Sequence, residues 1–173
     1  MRPLPLKKAV IDTGPLFAFL TPVFIQKRPA LTSTLRHKHN LTNFLPDPTS
    51  ERNFFEYLDN IPLLLTTSHV VGEMRSRHKV SEDLHADFWL CAMEYLSRKS
   101  FAEKQVTLLD LYQVEFFKKI TCNLGPTDAG LIYLARQEAC ELLTHDERML
   151  AWQPADGQPL ITLIHKHFSP LRQ

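Results

Sequence analysis

The stretch that most restricts how this chain can fold runs from Gly125 to Leu150, G-P-T-D-A-G-L-I-Y-L-A-R-Q-E-A-C-E-L-L-T-H-D-E-R-M-L. Pro126 suits the first turn of a helix, where its missing N–H costs no hydrogen bond, and Asp128 falls in that same turn, favoured by the positive end of the helix dipole. Leu131, Ile132 and Ala135 continue an apolar helical face. The run from Ala139 to Thr144 is short and largely apolar, which predicts a buried strand ending near Asp146. Two carboxylates about 18 residues apart are thereby brought to one edge of a sheet. Open α/β sheets place their ligands at that edge, outside the carboxyl ends of the strands.

The same alternation extends along the chain. Lys7 to Asp12 reads as a central strand, and Gly14-Pro15 opens a helix carrying Leu16, Phe17, Phe19 and Leu20. Residues 21–50 are less regular, interrupted by Pro22, Pro29, Pro46 and Pro48, and Glu51 to Asp59 reads as a helix with Phe54, Phe55 and Leu58 on one side. Ile61 to Thr67 is the second strand, and Ser68 is placed to cap a helix on which Glu73 lies beside the apolar positions Val70, Val71 and Met74. A helix is expected over 82–100. A third strand is expected over Gln105–Leu109, with Asp110 capping the helix that follows and a last strand over Leu160–His165. Strands alternating with helices predict parallel βαβ units, and hence an α/β protein with helices on both faces of its sheet.

Four acids in this frame resemble the motifs of PIN-domain nucleases, the group that includes VapC-type toxins. V-I-D-T-G-P-L supplies Asp12 at the end of the first strand, and S-H-V-V-G-E-M supplies Glu73 on the helix after the second. T-D-A supplies Asp128 at a helix start, and L-L-T-x-D supplies Asp146 beyond a strand. The match spans residues 8 to 165 in the family's order. It implies a three-layer α/β/α sandwich with a five-stranded parallel sheet in the order 3-2-1-4-5. It also implies a metal-dependent endoribonuclease in which Asp12, Glu73, Asp128 and Asp146 hold the ion, leaving 5′-phosphate and 3′-hydroxyl ends. Relatives commonly dimerise, and many are toxins held by an antitoxin protein. A homodimer and an antitoxin are therefore expected partners, beside an RNA substrate. The interval between Asp12 and Glu73 is long for the family, so an insertion is expected within 21–50.

The chemistry fits the resemblance. Carboxylates without cysteine or histidine ligands suit hard divalent ions, Mg²⁺ or Mn²⁺. Four acids converging without a cation would repel one another and hold some protons above their ordinary pKa. An acid ending an apolar central strand is costly without a purpose, which singles out Asp12. Asp128 alone reads equally well as a helix-start acid, Asp146 as a cap, and Glu73 as half of a pair with Arg77. Thr13 and Thr144 are candidate partners of these carboxylates. Asp87, Glu94, Glu138 and Glu141 read as solvated acids on helix faces or ends, and His145 is expected to point away from its neighbour Asp146.

Composition adds limits rather than identity. At 173 residues, 44% hydrophobic and 23% charged, the chain suits one domain. The longest apolar runs are far short of the ~20 residues that span a bilayer, and the first eight residues lack the apolar core of a signal peptide, so a cytoplasmic protein is expected. Cys91, Cys122 and Cys140 contain no C-x-x-C pair and read as reduced core or boundary residues. The net charge is only +1, but Lys27, Arg28, Arg36 and Lys38 lie in a span without acids, and Arg75 and Arg77 directly follow Glu73. These two basic runs are either solvated faces or grips for the phosphates of RNA.

Overall fold

The structure is a computed structural model, and it describes residues 6–31, 47–77, 82–156 and 160–168. Its strands are β1 (Lys8–Ile11), β2 (Leu63–Thr67), β3 (Phe101–Lys104), β4 (Glu141–Thr144) and β5 (Ile161–Leu163). They form one sheet in the order β3-β2-β1-β4-β5, every neighbouring pair parallel. The helices are α1 (Thr13–Lys27), α2 (Pro48–Asp59), α3 (Ser68–Arg77), α4 (Glu82–Arg98), α5 (Leu108–Tyr112), α6 (Glu115–Leu124), α7 (Pro126–Gln137) and α8 (Ile164–Phe168). The described residues also include 3₁₀ turns at Pro29–Leu31 and Glu147–Trp152.

The sequence pattern explains which strand goes where. Ala9, Val10 and Ile11 of β1 are fully buried, as a central strand covered on both faces must be. Phe101-Ala102-Glu103-Lys104 carries two charges and is partly exposed throughout, which suits the sheet's edge. From β1 through β2 to β3 the chain steps outward in one direction, then returns across the sheet to β4 and steps the opposite way to β5. Right-handed crossovers therefore put the connections of the two halves on opposite faces. The packing agrees: α1 contacts α3 and α4, whereas α7 contacts α5 and α6 and lies over β1, β2 and β4.

The reversal of direction falls between β1 and β4, which are hydrogen-bonded neighbours. Chains leaving the carboxyl ends of these two strands turn to opposite faces and open a crevice between them. Asp12 and Asp146 follow those two ends.

Apolar side chains on both sides hold the sheet between its helices in one core. In the first layer Phe17 stacks on Phe88 with centroids 5.2 Å apart, and Phe19 packs on Phe55 at 5.0 Å. In the second, Phe117 meets Tyr133 edge-on at 5.1 Å. Such aromatic pairs add about 0.5–1.5 kcal/mol each beyond the area they bury. Cys91 and Cys140 are buried thiols, Cys122 is exposed, and all three are free. No helix among the described residues is long and apolar enough to cross a membrane.

Several boundaries differ from the sequence expectation. The third strand is Phe101–Lys104 rather than 105–109, because Thr107 and Asp110 form a capping box that starts α5 at Leu108. Asp110 thus serves inside the cap of α5 and does not begin the next helix; Val114 precedes α6. The last strand ends at Leu163, where the chain turns into α8. Residues 21–27, read as irregular, continue α1 with Pro22 inside it. The rest of the expected insertion lies largely at 32–46, outside the described residues, as do Arg36 and Lys38.

Candidate active site

Backbone chemistry fixes the position of each acid. Asp12 leaves β1 with its N–H bonded to Leu143 O at 3.0 Å, while Thr66 Oγ1 donates to Ile11 O at 2.9 Å, so the strand end is held from both sides. The Asp12 side chain caps α1 by accepting from Thr13 N at 2.5 Å, and its other oxygen accepts from Thr144 Oγ1 at 2.7 Å. Thr144 Oγ1 in turn accepts from Asp146 N at 3.0 Å. One buried hydroxyl therefore ties the acid after β1 to the backbone of the acid after β4.

Thr13 plays the matching part toward Glu73. Its buried Oγ1 donates to Glu73 Oε2 at 3.2 Å, across 60 positions of sequence. Glu73 is half-buried on α3, the helix that follows β2. Asp128 occupies the first turn of α7, after Pro126 and the positive-φ cap Gly125. Burial first, and then the charges of Asp12 and Asp146, with a smaller addition from Glu73, push the Asp128 carboxyl up to about 7. The structure brings all four sequence-selected acids, and both threonines, to the carboxyl edge of β1, β2 and β4.

The sequence reading missed Arg148. It stands two residues past Asp146 on the 3₁₀ turn, its backbone N–H donates to Asp146 Oδ1 at 2.9 Å, and its Nε donates to both Asp146 oxygens at 3.0 and 2.9 Å. Its Nη2 also pairs with Asp146 Oδ2 and lies 3.9 Å from Asp128 Oδ2. The only signal in the sequence was the D-x-R spacing, which a tight turn folds back on itself. Arg148 opposes the upward push on Asp128.

The ring nitrogens of His145, between Thr144 and Asp146, are buried. An added Cβ on Gly14 would lie 3.0 Å from His145 Cδ2, so the glycine makes room for the ring beside the helix that Asp12 caps. Burial, then the nearby His165, push its pKa down to about 3, so the imidazole is neutral near pH 7.

The remaining candidates are placed elsewhere. Lys27 pairs with Glu94 and Arg28 with Asp87, both on α4, so those two acids are partners of the basic pair rather than simply solvated. Glu138 accepts from Lys8 at 2.9 Å and Glu141 from Thr162 at 2.9 Å, a second correction to the same expectation. Because Asp12 caps α1 and the helix then runs 15 residues to Lys27, Lys27 stands roughly 22 Å along it from Asp12, at ~1.5 Å per residue. Arg75 and Arg77 continue α3 past Glu73.

The donor set is hard oxygen throughout, four carboxylates backed by two hydroxyls, and it fits a divalent ion such as Mg²⁺ or Mn²⁺. Burial, and then the charges of Asp12 and Asp146, raise the Asp128 carboxyl, and a bound cation would relieve both. Among the described residues no three acidic, imidazole or thiol groups are closed around one ion position. Both Asp146 oxygens are instead engaged by Arg148. Compared with known proteins, the chain matches no family model, no curated protein and no solved structure.

Proposed function

We propose that this chain is a Mg²⁺- or Mn²⁺-dependent ribonuclease of the PIN-domain kind, hydrolysing RNA phosphodiester bonds with Asp12, Glu73, Asp128 and Asp146 as the ion's ligands. The observation that supports it is geometric: at one strand edge Thr144 Oγ1 joins Asp12 to the backbone of Asp146, Thr13 Oγ1 joins the start of α1 to Glu73, and Arg148 Nη2 links Asp146 to Asp128. Burial, and then the charges of Asp12 and Asp146, hold the Asp128 carboxyl up. Structural acids in folded proteins are paired or solvated. A partly buried group of like charges at a topological switch point is better explained by a ligand than by stability.

The ion, when bound, supplies charge neutralisation at the scissile phosphate and acidity for the attacking water. The chain's own residues do the rest. Thr144 holds Asp12 and the start of the turn carrying Asp146 in fixed relation, and Thr13 aims Glu73. Such support from hydroxyls keeps carboxylates oriented as second-tier bonds do around other metals. The N-terminus of α7 adds its positive dipole end beside Asp128, a further attraction for phosphate.

A toxin held by an antitoxin partner, acting as a homodimer, is the biological setting that the family resemblance favours. Processing of ribosomal or transfer RNA is its relative within the same chemistry. The test is cleavage of a labelled single-stranded oligoribonucleotide with and without EDTA. Cleavage abolished by EDTA, restored by excess Mg²⁺ or Mn²⁺, and leaving 5′-phosphate ends is the expected result. Binding without cleavage would make the chain an RNA- or metal-binding module instead, and cleavage indifferent to EDTA would end the metal reading.

A further inference from the structure

Arg148 is an unusual neighbour for a group of metal-binding acids. Its guanidinium makes a forked, charge-assisted contact with Asp146, using Nε and Nη2, while the same Nη2 reaches toward Asp128 at 3.9 Å. One cation thus bridges two acids that belong to different elements, the first turn of α7 and the turn after β4. The two carboxylates are well enclosed, 18% and 23% exposed, but the Arg148 side chain is 68% exposed and covers them from outside. It is held by charge and hydrogen bonds and not by burial, so it is free to leave when its partners find a better cation.

We propose that Arg148 is a built-in counter-ion standing where the divalent cation binds, so that its pairing with Asp146 and Asp128 and the loading of the ion exclude one another. This inference rests on the metal-dependent reading above and adds a control to it. Two physical facts set the guanidinium and the ion against each other. Arginine stays protonated at any physiological pH, so it cannot yield by losing its charge and must move. A small divalent ion requires carboxylate oxygens at about 2.0–2.1 Å in near-octahedral array, and both Asp146 oxygens already accept from Arg148 N–H donors, so the guanidinium occupies space the ion needs. Ion entry therefore replaces a monovalent, forked contact with a divalent, direct one, and swings an exposed guanidinium out over the mouth of the crevice.

The test is direct ion binding, read without turnover. Mn²⁺ is titrated into the full chain by calorimetry, using wild type, Arg148→Gln, Arg148→Lys and Asp12→Asn, with a parallel NMR observation of the Arg148 Nε–H signal in wild type. Removing the competitor should tighten Mn²⁺ binding by about tenfold in Arg148→Gln. Arg148→Lys, which keeps the charge but loses the fork, should fall between Gln and wild type. The Nε–H signal should be protected without ion and shift or broaden on saturation with diamagnetic Mg²⁺. Unchanged or weaker Mn²⁺ binding in Arg148→Gln, or an Nε–H signal indifferent to Mg²⁺, overturns the competition, even if Asp12→Asn loses binding and so upholds the site. Equal binding by Asp12→Asn and wild type overturns both, since the ion would then sit elsewhere. Loss of binding in every chain does the same.

Discussion

The molecule handles acidic side chains in two different ways. On the outer face, α4 carries Asp87 and Glu94, and each meets a base from the end of α1; Glu94 also takes Arg98 at 2.7 Å from the next turn. At the foot of the sheet Glu138 meets Lys8 at 2.9 Å. These are ordinary surface pairs, which contribute little to stability. At the carboxyl edge of β1 and β4 the balance is different. Asp12, Glu73, Asp128 and Asp146 gather at this edge, and among the described residues Arg148 is the cation that contacts two of them, Asp128 and Asp146. The difference teaches that the outer acids each meet a base at the surface, whereas the acids at the strand edge lie near one another, a cost that the divalent ion of our proposal would relieve.

That contrast can be broken most sharply at Asp12. Asp12→Asn keeps an N-cap side chain for α1 and removes one charge from the crowd. Cleavage should fall by roughly a thousandfold, the several kcal/mol that ion-derived stabilisation supplies. The melting temperature of the ion-free protein should stay level or rise. A variant that melts early instead would place Asp12 among the structural acids.

A second variant probes how tightly the site is built into the fold. Gly14→Ala would press a Cβ to 3.0 Å from His145, whose ring is buried against the start of α1. Urea denaturation should report a loss of about 1–3 kcal/mol, the usual cost of overpacking. No loss would mean that His145 moves freely and does not brace the site.

The pH dependence sharpens the comparison further. Asp128 is raised to about 7 from 3.8, so the folded protein binds its proton more tightly, and stability from this group is lost as pH rises from about 4 to 7. His145 is lowered to about 3 from 6.5, so the unfolded chain binds its proton more tightly, and stability is lost as pH falls from about 6.5 to 3. Between about pH 4 and 6.5 the two slopes oppose each other. Wild type should therefore show a nearly flat contribution from this pair, while Asp128→Asn should gain stability with rising pH by up to roughly 1.4 kcal/mol per unit. Chemical denaturation across that range measures it, and parallel curves for the two proteins would contradict the crowding at Asp128.

The smallest effect is expected on the balanced side. Reversing Lys27 and Arg28 to Glu, roughly 22 Å along α1 from Asp12, should leave the cleavage rate at saturating RNA unchanged. The salt dependence of RNA binding should also be unchanged. A slope flattened by about one per lost contact would put these residues on the RNA path after all.

Much of the site was legible because its residues sit where local rules act. A proline and an acid opening a helix located Asp128, and an acid closing an apolar strand located Asp12. The threonines followed as buried hydroxyls beside them. Arg148 was not legible, because its role depends on a 3₁₀ turn that folds position 148 back over position 146 and on α7 lying close enough for Asp128 to be reached. Among the elements, β3 was displaced because Q-V-T-L-L is the more apolar run, yet the capping box at Thr107 and Asp110 makes it a helix start. The edge of a parallel sheet accepts the more polar F-A-E-K in its place. Pairing of the basic residues on α1 with α4 is tertiary, and no local pattern announces it.

The most direct measurement is a crystal of the full chain soaked in Mn²⁺ and recorded at a wavelength where manganese scatters anomalously. A peak bounded by the carboxylates of Asp12, Asp128 and Asp146, with the Arg148 guanidinium displaced from Asp146, is the predicted result. No peak in that crevice at saturating Mn²⁺, or a peak on another face of the molecule, would contradict it.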